Sequence, residues 1–231
     1  EWLIEQNKYF TENDSGYKVY RCPIYVPKSP NGIKRLFHLL SFSISSFPIL
    51  IKQLVWQPDC LILIVPTLFC AHNVAIFRLL SFRKVFTMIH IQDFELDAAF
   101  NLGLLKGKIF KKTLFEIEKL IYKLFKVVGT ISRGMINKLE DKGIDKNRIY
   151  YLPNWIDTKN FNQKNEKNRL QNIYRKKFNL PTETVVIQYS GSMNKKQGFD
   201  FIIPIIEKFK NHKNVLWVFG GEGPTKKKLI Y

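Results

Sequence analysis

Short apolar segments alternate with helix-like segments along this chain of 231 residues, and the alternation limits the folds open to it. Cys60–Val65 is continuously apolar, the mark of a buried parallel strand. Strand-like segments also cover Lys18–Val26, Lys84–His90, Val127–Ser132 and Arg148–Leu152. Helical patterns cover Ile33–Trp56, which Pro48 is expected to kink or divide, Phe69–Leu80, Gly107–Phe125 and Arg133–Lys142. This order predicts an α/β fold with a doubly wound parallel sheet.

The last third of the chain predicts a second unit. Residues 157–181 are polar, basic and without clear periodicity, which is typical of a linker. Two apolar runs follow, Val185–Tyr189 and Val215–Phe219, each ending in a glycine-containing loop, and Pro224–Tyr231 looks like a new helix. We expect one domain at residues 1–160, a linker at 161–183 and the start of a second domain at 184–231. Because the chain starts at Glu1 and stops within a helical pattern, we expect a fragment that lacks parts of both domains.

Basic residues are in large excess, with 37 Lys and Arg against 19 Asp and Glu, a formal charge of +18. This charge has two explanations, a generally Lys-, Asn- and Ile-rich composition or an anionic partner such as nucleic acid, a phosphorylated substrate or a membrane. The sequence has no helix-turn-helix, RNP-type or zinc-finger pattern, which disfavours nucleic acid. The three cysteines lack disulfide-framework or metal-ligand spacing and fit a reducing, cytosolic compartment.

Polar residues follow the predicted strands at their carboxyl ends, where ligands bind in sheets of this kind. His90 ends one strand, and its imidazole can bind an oxygen atom or act as an acid or base, with Asp93 and Glu95 to orient it. The alternative is a structural histidine followed by helix-capping acids. Ser132 and Asn154 follow two later strands, and a simple strand-ending turn explains Asn154 when it is considered alone.

The glycine-containing loop at residues 190–198 predicts an anion site in the second unit. Lys195 and Lys196 supply charge, and backbone amides near Gly198, at a helix start, supply directed donors. The alternative is an ordinary strand–helix turn with solvated lysines. The spacings of the P-loop and of the dinucleotide-binding fingerprint are both absent.

Taken in chain order, these segments resemble glycosyltransferase family 4, and more closely its colanic-acid and O-antigen type of bacterial polysaccharide enzyme. The segments that match the family are His90–Glu95, Thr130–Ser132, Pro153–Asp157, Tyr189–Met193 with Lys196–Gly198, and Phe219–Pro224. Those that match the colanic-acid and O-antigen type are Arg21–Pro27, Ser45–Pro48 and His90–Gly103. Ser192 and Gln197 depart from the family, many of whose members have Arg and Lys there.

The resemblance implies a GT-B fold, with two Rossmann-like domains facing across a cleft, and retaining transfer of a sugar without an obligatory metal or other cofactor. His90 would be the catalytic residue of an acceptor-side domain, and the supporting residues would be Asp93, Glu95, Ser132 and Asn154. The second domain would bind the nucleotide-sugar donor through Gly191, Ser192, Lys195, Lys196, Gly198, Gly220, Gly221 and Gly223. Because further elements of the family's site would lie outside this chain, the chain alone is expected to be inactive.

The same resemblance implies a UDP-sugar donor and a polyprenyl-diphosphate-linked saccharide acceptor, in capsule, colanic-acid-like or O-antigen biosynthesis. Such a protein would be cytoplasmic, with a peripheral place on the inner face of the plasma membrane. The basic, apolar segment Gly32–Phe42 fits either an interfacial helix or a helix packed on the sheet. A GT-B-like nucleotide-sugar epimerase and a basic nucleic-acid-binding protein are the alternative functions.

Overall fold

The structure is a computed structural model that describes residues 8–27, 32–65, 68–101, 103, 105–158 and 175–229, without the side chains of residues 32, 33, 35 and 195. The chain divides into two compact units, Glu1–Asn154 and Trp155–Tyr231. Most of the linker expected at residues 161–183 lies outside the described residues.

The first unit is built on a four-stranded parallel sheet. Its strands, in spatial order, are β3 (Cys60–Val65), β4 (Phe86–Ile91), β5 (Val127–Thr130) and β6 (Ile149–Tyr151). An antiparallel hairpin of β1 (Phe10–Asp14) and β2 (Tyr17–Arg21) precedes the sheet. The helices are α1 (Gly32–Lys52), α2 (Ala71–Leu80), α3 (Glu95–Asn101), α4 (Lys108–Lys123) and α5 (Arg133–Asp141). The predicted α/β class, with a parallel, Rossmann-like sheet, is confirmed.

The core of this unit lies where the helices cover the sheet. Ile89, Ile91 and Val128 on the central strands are fully buried and pack with Tyr122 and Phe125 from the end of α4. Burial of each large apolar side chain contributes roughly 1.5–3 kcal/mol relative to an exposed position. This packing fixes the two central strands, and with them the side chains that follow their carboxyl ends.

A partly buried ionic network, in which Glu118 is the buried member, joins α3 and α4 with the end of α5. The Asp97 carboxylate lies 2.9 Å from Nζ of Lys138 and 2.8 Å from Nζ of Lys142. Lys142 also pairs with Glu118, whose other carboxylate oxygen accepts a 2.7 Å hydrogen bond from the Tyr122 hydroxyl. Burial alone would raise the pKa of Asp97, but the hydrogen bonds and charges of the two lysines outweigh it, and the pKa lies below its ordinary value.

The described part of the second unit contains a pair of parallel strands with a helix between them in the chain. β7 (Val185–Ser190) pairs with β8 (Val215–Gly220) over six residue pairs. The helix α6 (Phe199–Phe209) begins after Gly198 and contains Pro204. Phe199 and Met193 are buried, and the ring of Phe199 contacts those of Tyr189 and Phe219. The loops that follow both strands therefore rest on an aromatic core.

Two predicted helices differ from the structure. Pro48 does not divide the first, because α1 continues to Lys52 and packs on α2, where Asn73 donates a 2.7 Å hydrogen bond to the Ser43 carbonyl. The apolar residues beyond Pro48 are partly buried, and their burial offsets the loss of a helical hydrogen bond. The helix predicted at Pro224–Tyr231 is wrong over the described residues, where Lys226–Lys228 form a short 3-10 turn.

Among the residues that the structure describes, no helix combines the length and apolar character needed to cross a bilayer.

Candidate functional site

His90 lies at the carboxyl end of β4 within a chain of hydrogen bonds. Its Nε2 is 2.9 Å from the carbonyl oxygen of Leu152, and its Nδ1 is 3.0 Å from Nε2 of Gln92. The Gln92 side chain in turn accepts a 3.1 Å hydrogen bond at Oε1 from Nδ2 of Asn154. The chain of bonds therefore connects the end of β4 with the segment that follows β6.

These partners determine which nitrogen of the imidazole carries a proton. A carbonyl oxygen can only accept a hydrogen bond, so Nε2 of His90 carries the proton, and Nδ1 accepts from the Gln92 amide. If Nδ1 also carried a proton, that proton would face the hydrogen atoms of the Gln92 amide. A 180° rotation of the amide would remove this clash, but it would then place the NH₂ group of Gln92 against the Nδ2 donor of Asn154. The hydrogen bonds therefore favour the tautomer of His90 that carries its proton on Nε2.

Close packing on the neighbouring strand fixes the position of the His90 ring. Gly129 of β5 is the register partner of His90. A Cβ atom at this glycine would lie 3.1 Å from Cδ2 of His90 and 2.2 Å from Cε of Met88. A larger residue at position 129 would displace one or both side chains, since real Cβ atoms do not approach to 2.2 Å.

The supporting residues predicted around His90 do not all belong to its chain of hydrogen bonds. Asn154 joins the His90 chain of bonds, as described above. The Ser132 hydroxyl accepts a 3.2 Å hydrogen bond from the Met135 amide and caps α5, which is a structural role. Asp93 follows β4, and Glu95 opens α3; both are half-buried and already interact with other groups.

In the second unit, the loops after β7 and β8 lie backbone to backbone. The amide of Gly191 donates to the Gly220 carbonyl at 2.9 Å, and the amide of Met193 donates to the Glu222 carbonyl at 2.8 Å. The Thr225 amide returns a 3.0 Å bond to the Met193 carbonyl. These three amides bind the two loops together and do not face an anion.

The glycines of the second loop are required by this close approach. A Cβ atom at Gly221 would lie 1.8 Å from the Gly191 carbonyl oxygen, and one at Gly223 would lie 2.3 Å from that of Met193. Both glycines also have φ angles above +150°, which side chains rarely tolerate. Packing between the loops therefore explains Gly221 and Gly223 whether or not a ligand binds there.

The remaining predicted donor-binding residues surround the start of α6. Gly198 is the N-cap of this helix, with a left-handed φ of +71° and open space around its Cα. Ser192 and Lys196 are exposed, and Lys196 already interacts with another group. The Lys195 side chain lies outside the described set. The start of α6 supplies a partial positive charge, so this region retains the features of an anion site. The contacts of this region with a nucleotide-sugar remain a prediction.

The sequence interpretation missed Gln92 and Gly129. Gln92 stands two residues after His90, a spacing that places both side chains on the same face of an extended segment, and this was the available signal. Gly129 interrupts an otherwise apolar strand, which often marks a close approach to a neighbouring element.

Comparison with known proteins finds no matching family model. A protein of Escherichia coli (strain K12), described as "Putative colanic acid biosynthesis glycosyl transferase WcaI", is 35% identical to this chain over 237 residues. The alignment covers 99% of the chain and 56% of the relative, so the chain spans about half the length of the curated relative it matches. The two proteins are homologous, which confirms the predicted resemblance of this chain to the colanic-acid type of bacterial glycosyltransferase.

Proposed function

We propose that this chain is part of a retaining glycosyltransferase that moves a sugar from a UDP-sugar to a polyprenyl-diphosphate-linked saccharide in polysaccharide biosynthesis. The observation that carries the proposal is the 35% identity, along 99% of the chain, to a relative described as a glycosyl transferase. The proposal concerns the whole protein and includes the GT-B fold that the resemblance implies, with an acceptor-side domain at 1–160 and a donor-binding domain that begins at 184.

In this proposal the second unit binds the donor diphosphate at the carboxyl ends of β7 and β8. Because the amides of Gly191 and Met193 are already bonded, the positive charge comes from Lys196 and from the start of α6. Fixed positive groups of this kind stabilise the charge that develops on a departing diphosphate. Gly220, at the end of β8, would lie along the nucleotide.

In the first unit, His90 would lie near the donor sugar. Its Nδ1 is an acceptor bonded to an amide that a side-chain rotation can move away. A sugar hydroxyl can then donate to Nδ1 while Nε2 stays bonded to the Leu152 carbonyl. His90 would thus orient the sugar through this hydrogen bond.

The test of the donor site is calorimetric titration of the chain with UDP and with double-stranded DNA. We expect UDP to bind, and Lys196→Ala to weaken the binding about five- to tenfold through the loss of one charged contact. Lys208→Ala, which removes an exposed charge from α6, is the matched control and should bind as the parent does. Salt-sensitive binding to DNA that exceeds binding to UDP would favour the nucleic-acid alternative instead.

The test of the activity uses the longer protein, with transfer of labelled sugar to the lipid-linked acceptor as the measurement. His90→Ala and Lys196→Ala should each strongly reduce turnover. If both variants keep the parental turnover, the site is misassigned.

A further inference from the structure

A cavity opens in the first unit toward the amino ends of its strands, whereas His90 lies at a carboxyl end. Its volume is about 1420 Å³. The loops that precede β4, β5 and β6 line it, together with one face of these strands. Sites for small ligands usually have volumes of roughly 300–1,000 Å³, so this cavity is large enough for a nucleotide with its phosphates.

Hydrogen bonds hold the lining loops in place. The Lys126 amide donates to the Thr87 carbonyl at 2.9 Å, which joins the turn before β5 to β4. Arg78 and Arg148 each donate to main-chain carbonyl groups at the end of α4. A guanidinium has five N–H donors, so both arginines keep donors for a ligand. Because the loops are already ordered, a ligand would lose less free energy to ordering them.

The charges around this cavity have a single sign. Among the residues that the structure describes, the charged side chains that line it are Arg78, Arg83, Lys84, Lys123, Lys126 and Arg148. None of these six forms an ion pair with an acid in the described part of the chain. Like charges gathered around one cavity repel each other, and an anion with several negative charges would relieve that repulsion. We call this site the basic cavity.

One wall of the basic cavity is an apolar face of the sheet. Phe86 and His90 stand an even number of residues apart on β4, so they share a face, and Ile89 points to the opposite face and the helical core. Tyr150 belongs to the face of His90, because its register partner Gly129 is also that of His90. Phe86 is 46% exposed and Tyr150 is 54% exposed. Exposed rings beside cations suit a ligand that joins a planar ring to phosphate groups.

We propose that the basic cavity binds a nucleoside polyphosphate, with the base against Phe86 and Tyr150 and the phosphates among the six cations. Arginine binds phosphate oxygens through paired N–H donors, and lysine adds a compact positive charge. The base packs on the aromatic wall through its π-face. All of these residues belong to the first unit, whereas the proposed donor site belongs to the second. The proposal therefore goes beyond the proposed function and does not rest on it.

The basic cavity also shares residues with the surroundings of His90. Leu152 lines the cavity, and its carbonyl oxygen lies 2.9 Å from Nε2 of His90. Met88 lines the cavity as well and packs at Gly129, next to the His90 ring. A ligand that displaces either residue changes the position of the ring or of its hydrogen-bond acceptor. The nucleotide would thus act as an effector at His90.

The test is titration of the 231-residue chain with ADP, followed at two methyl resonances. Met88 lines the basic cavity, and Met193 is buried in the second unit between the glycine loops. We expect the Met88 methyl resonance to shift and saturate, and the Nε2–H resonance of His90 to shift over the same range of ADP concentration. No shift at Met88, or a shift confined to Met193, would overturn the proposal.

Two variants separate the charges from the aromatic wall. Arg83→Ala with Lys84→Ala should raise the Kd of ADP and of inorganic pyrophosphate at least about tenfold, since both ligands lose charged contacts. Tyr150→Ala should raise the Kd of ADP at least about fivefold and leave that of pyrophosphate unchanged, because only ADP has a base. Parental ADP binding by either variant would contradict the proposed contacts.

Matched controls come from other parts of the first unit. Lys108→Ala with Lys112→Ala removes two exposed charges near the start of α4, away from the basic cavity. Tyr17→Ala removes a tyrosine of β2 that is 73% exposed. Both controls should bind ADP as the parent chain does. Circular dichroism should show every variant folded, because all the substituted side chains are exposed.

Two other occupants of the basic cavity can be detected with the same resonances. Farnesyl diphosphate that shifts Met88 at lower concentration than ADP would mean that the cavity takes a lipid diphosphate, contrary to the proposal. An ADP-dependent Met88 shift that disappears in the longer protein would also overturn it, because a segment of that protein would then fill the cavity. Lys196→Ala should leave the Met88 titration unchanged, so failure of the donor site and failure of this site are distinguishable.

Discussion

At the scale of single residues, Gln92 determines which nitrogen of His90 carries the proton. It donates to Nδ1 and is itself held by Asn154. Gln92→Glu replaces that donor with a carboxylate, which accepts a hydrogen bond from a protonated Nδ1 and so favours the doubly protonated imidazolium. In ¹H–¹⁵N spectra recorded at a pH at which the parent ring is neutral, we expect its proton on Nε2, and under the same conditions we expect the variant ring to carry protons on both nitrogens.

Gln188→Glu, an exposed glutamine on β7, makes the same change away from His90 and should leave its spectrum unchanged. A parent ring protonated on Nδ1 would contradict the hydrogen-bond assignment.

The position of His90 at the end of a strand could be predicted, because this polar residue comes at the end of an apolar run in the sequence. The sequence could not reveal the partners of the ring, because Leu152 lies 62 residues from His90 and Asn154 lies 62 residues from Gln92.

At the scale of elements, the close contact between the two glycine loops predicts a stability effect. In Gly223→Ala, the new Cβ would meet the Met193 carbonyl oxygen at 2.3 Å, at a φ angle of +154°. The loops have to separate or the backbone has to rotate, which we expect to cost about 2–3 kcal/mol of unfolding free energy. Urea unfolding followed at the methyl resonance of Met193, buried in the second unit, measures the change.

Gly198→Ala is the matched control, because its φ is also positive but a Cβ there would meet open space. It should cost about 1 kcal/mol, the penalty of a left-handed conformation alone. Equal losses in the two variants would mean that the loops are not in close contact.

Some strands and helices could be predicted from the sequence, and others could not. β3 and β8 could be predicted as strands because each is a local apolar run. The burial predicted for β3 is wrong, because Cys60, Ile62 and Ile64 are exposed on a strand that has a described neighbour on one side only. β1 could not be predicted, since its polar, exposed residues become a strand only by pairing with β2. The short helix α3 was missed because its seven residues carry too little periodicity.

At the scale of the whole molecule, the α/β class and the family resemblance could be predicted because both are carried by the order of segments along the chain. The network around Asp97 could not. Asp97 lies in α3, Glu118 lies in α4 and Lys142 directly follows α5, and their spacing in sequence gives no sign that they meet. Ion pairs of this kind become visible only once the helices are packed.

That network predicts how the stability of the first unit depends on pH. The pKa of Asp97 in the folded chain lies below its ordinary value of 3.8. Its contribution is therefore fully present above pH 3.8 and is lost as the pH falls through the lower, folded value. At neutral pH we expect Asp97→Asn to lower the unfolding free energy by about 2 kcal/mol, through the loss of charged hydrogen bonds to Lys138 and Lys142.

Well below pH 3.8 the parent Asp97 is also neutral, so the difference between the two proteins should shrink toward zero. Urea unfolding followed at the methyl resonances of Val128 and Leu139, both buried in the first unit, measures the two free energies at each pH. Asp59→Asn, which neutralises an exposed carboxylate of the same unit, should have little effect at either pH. A difference for Asp97→Asn that persists in acid would show that the effect does not come from the charge of Asp97, because that charge would already be absent from both proteins.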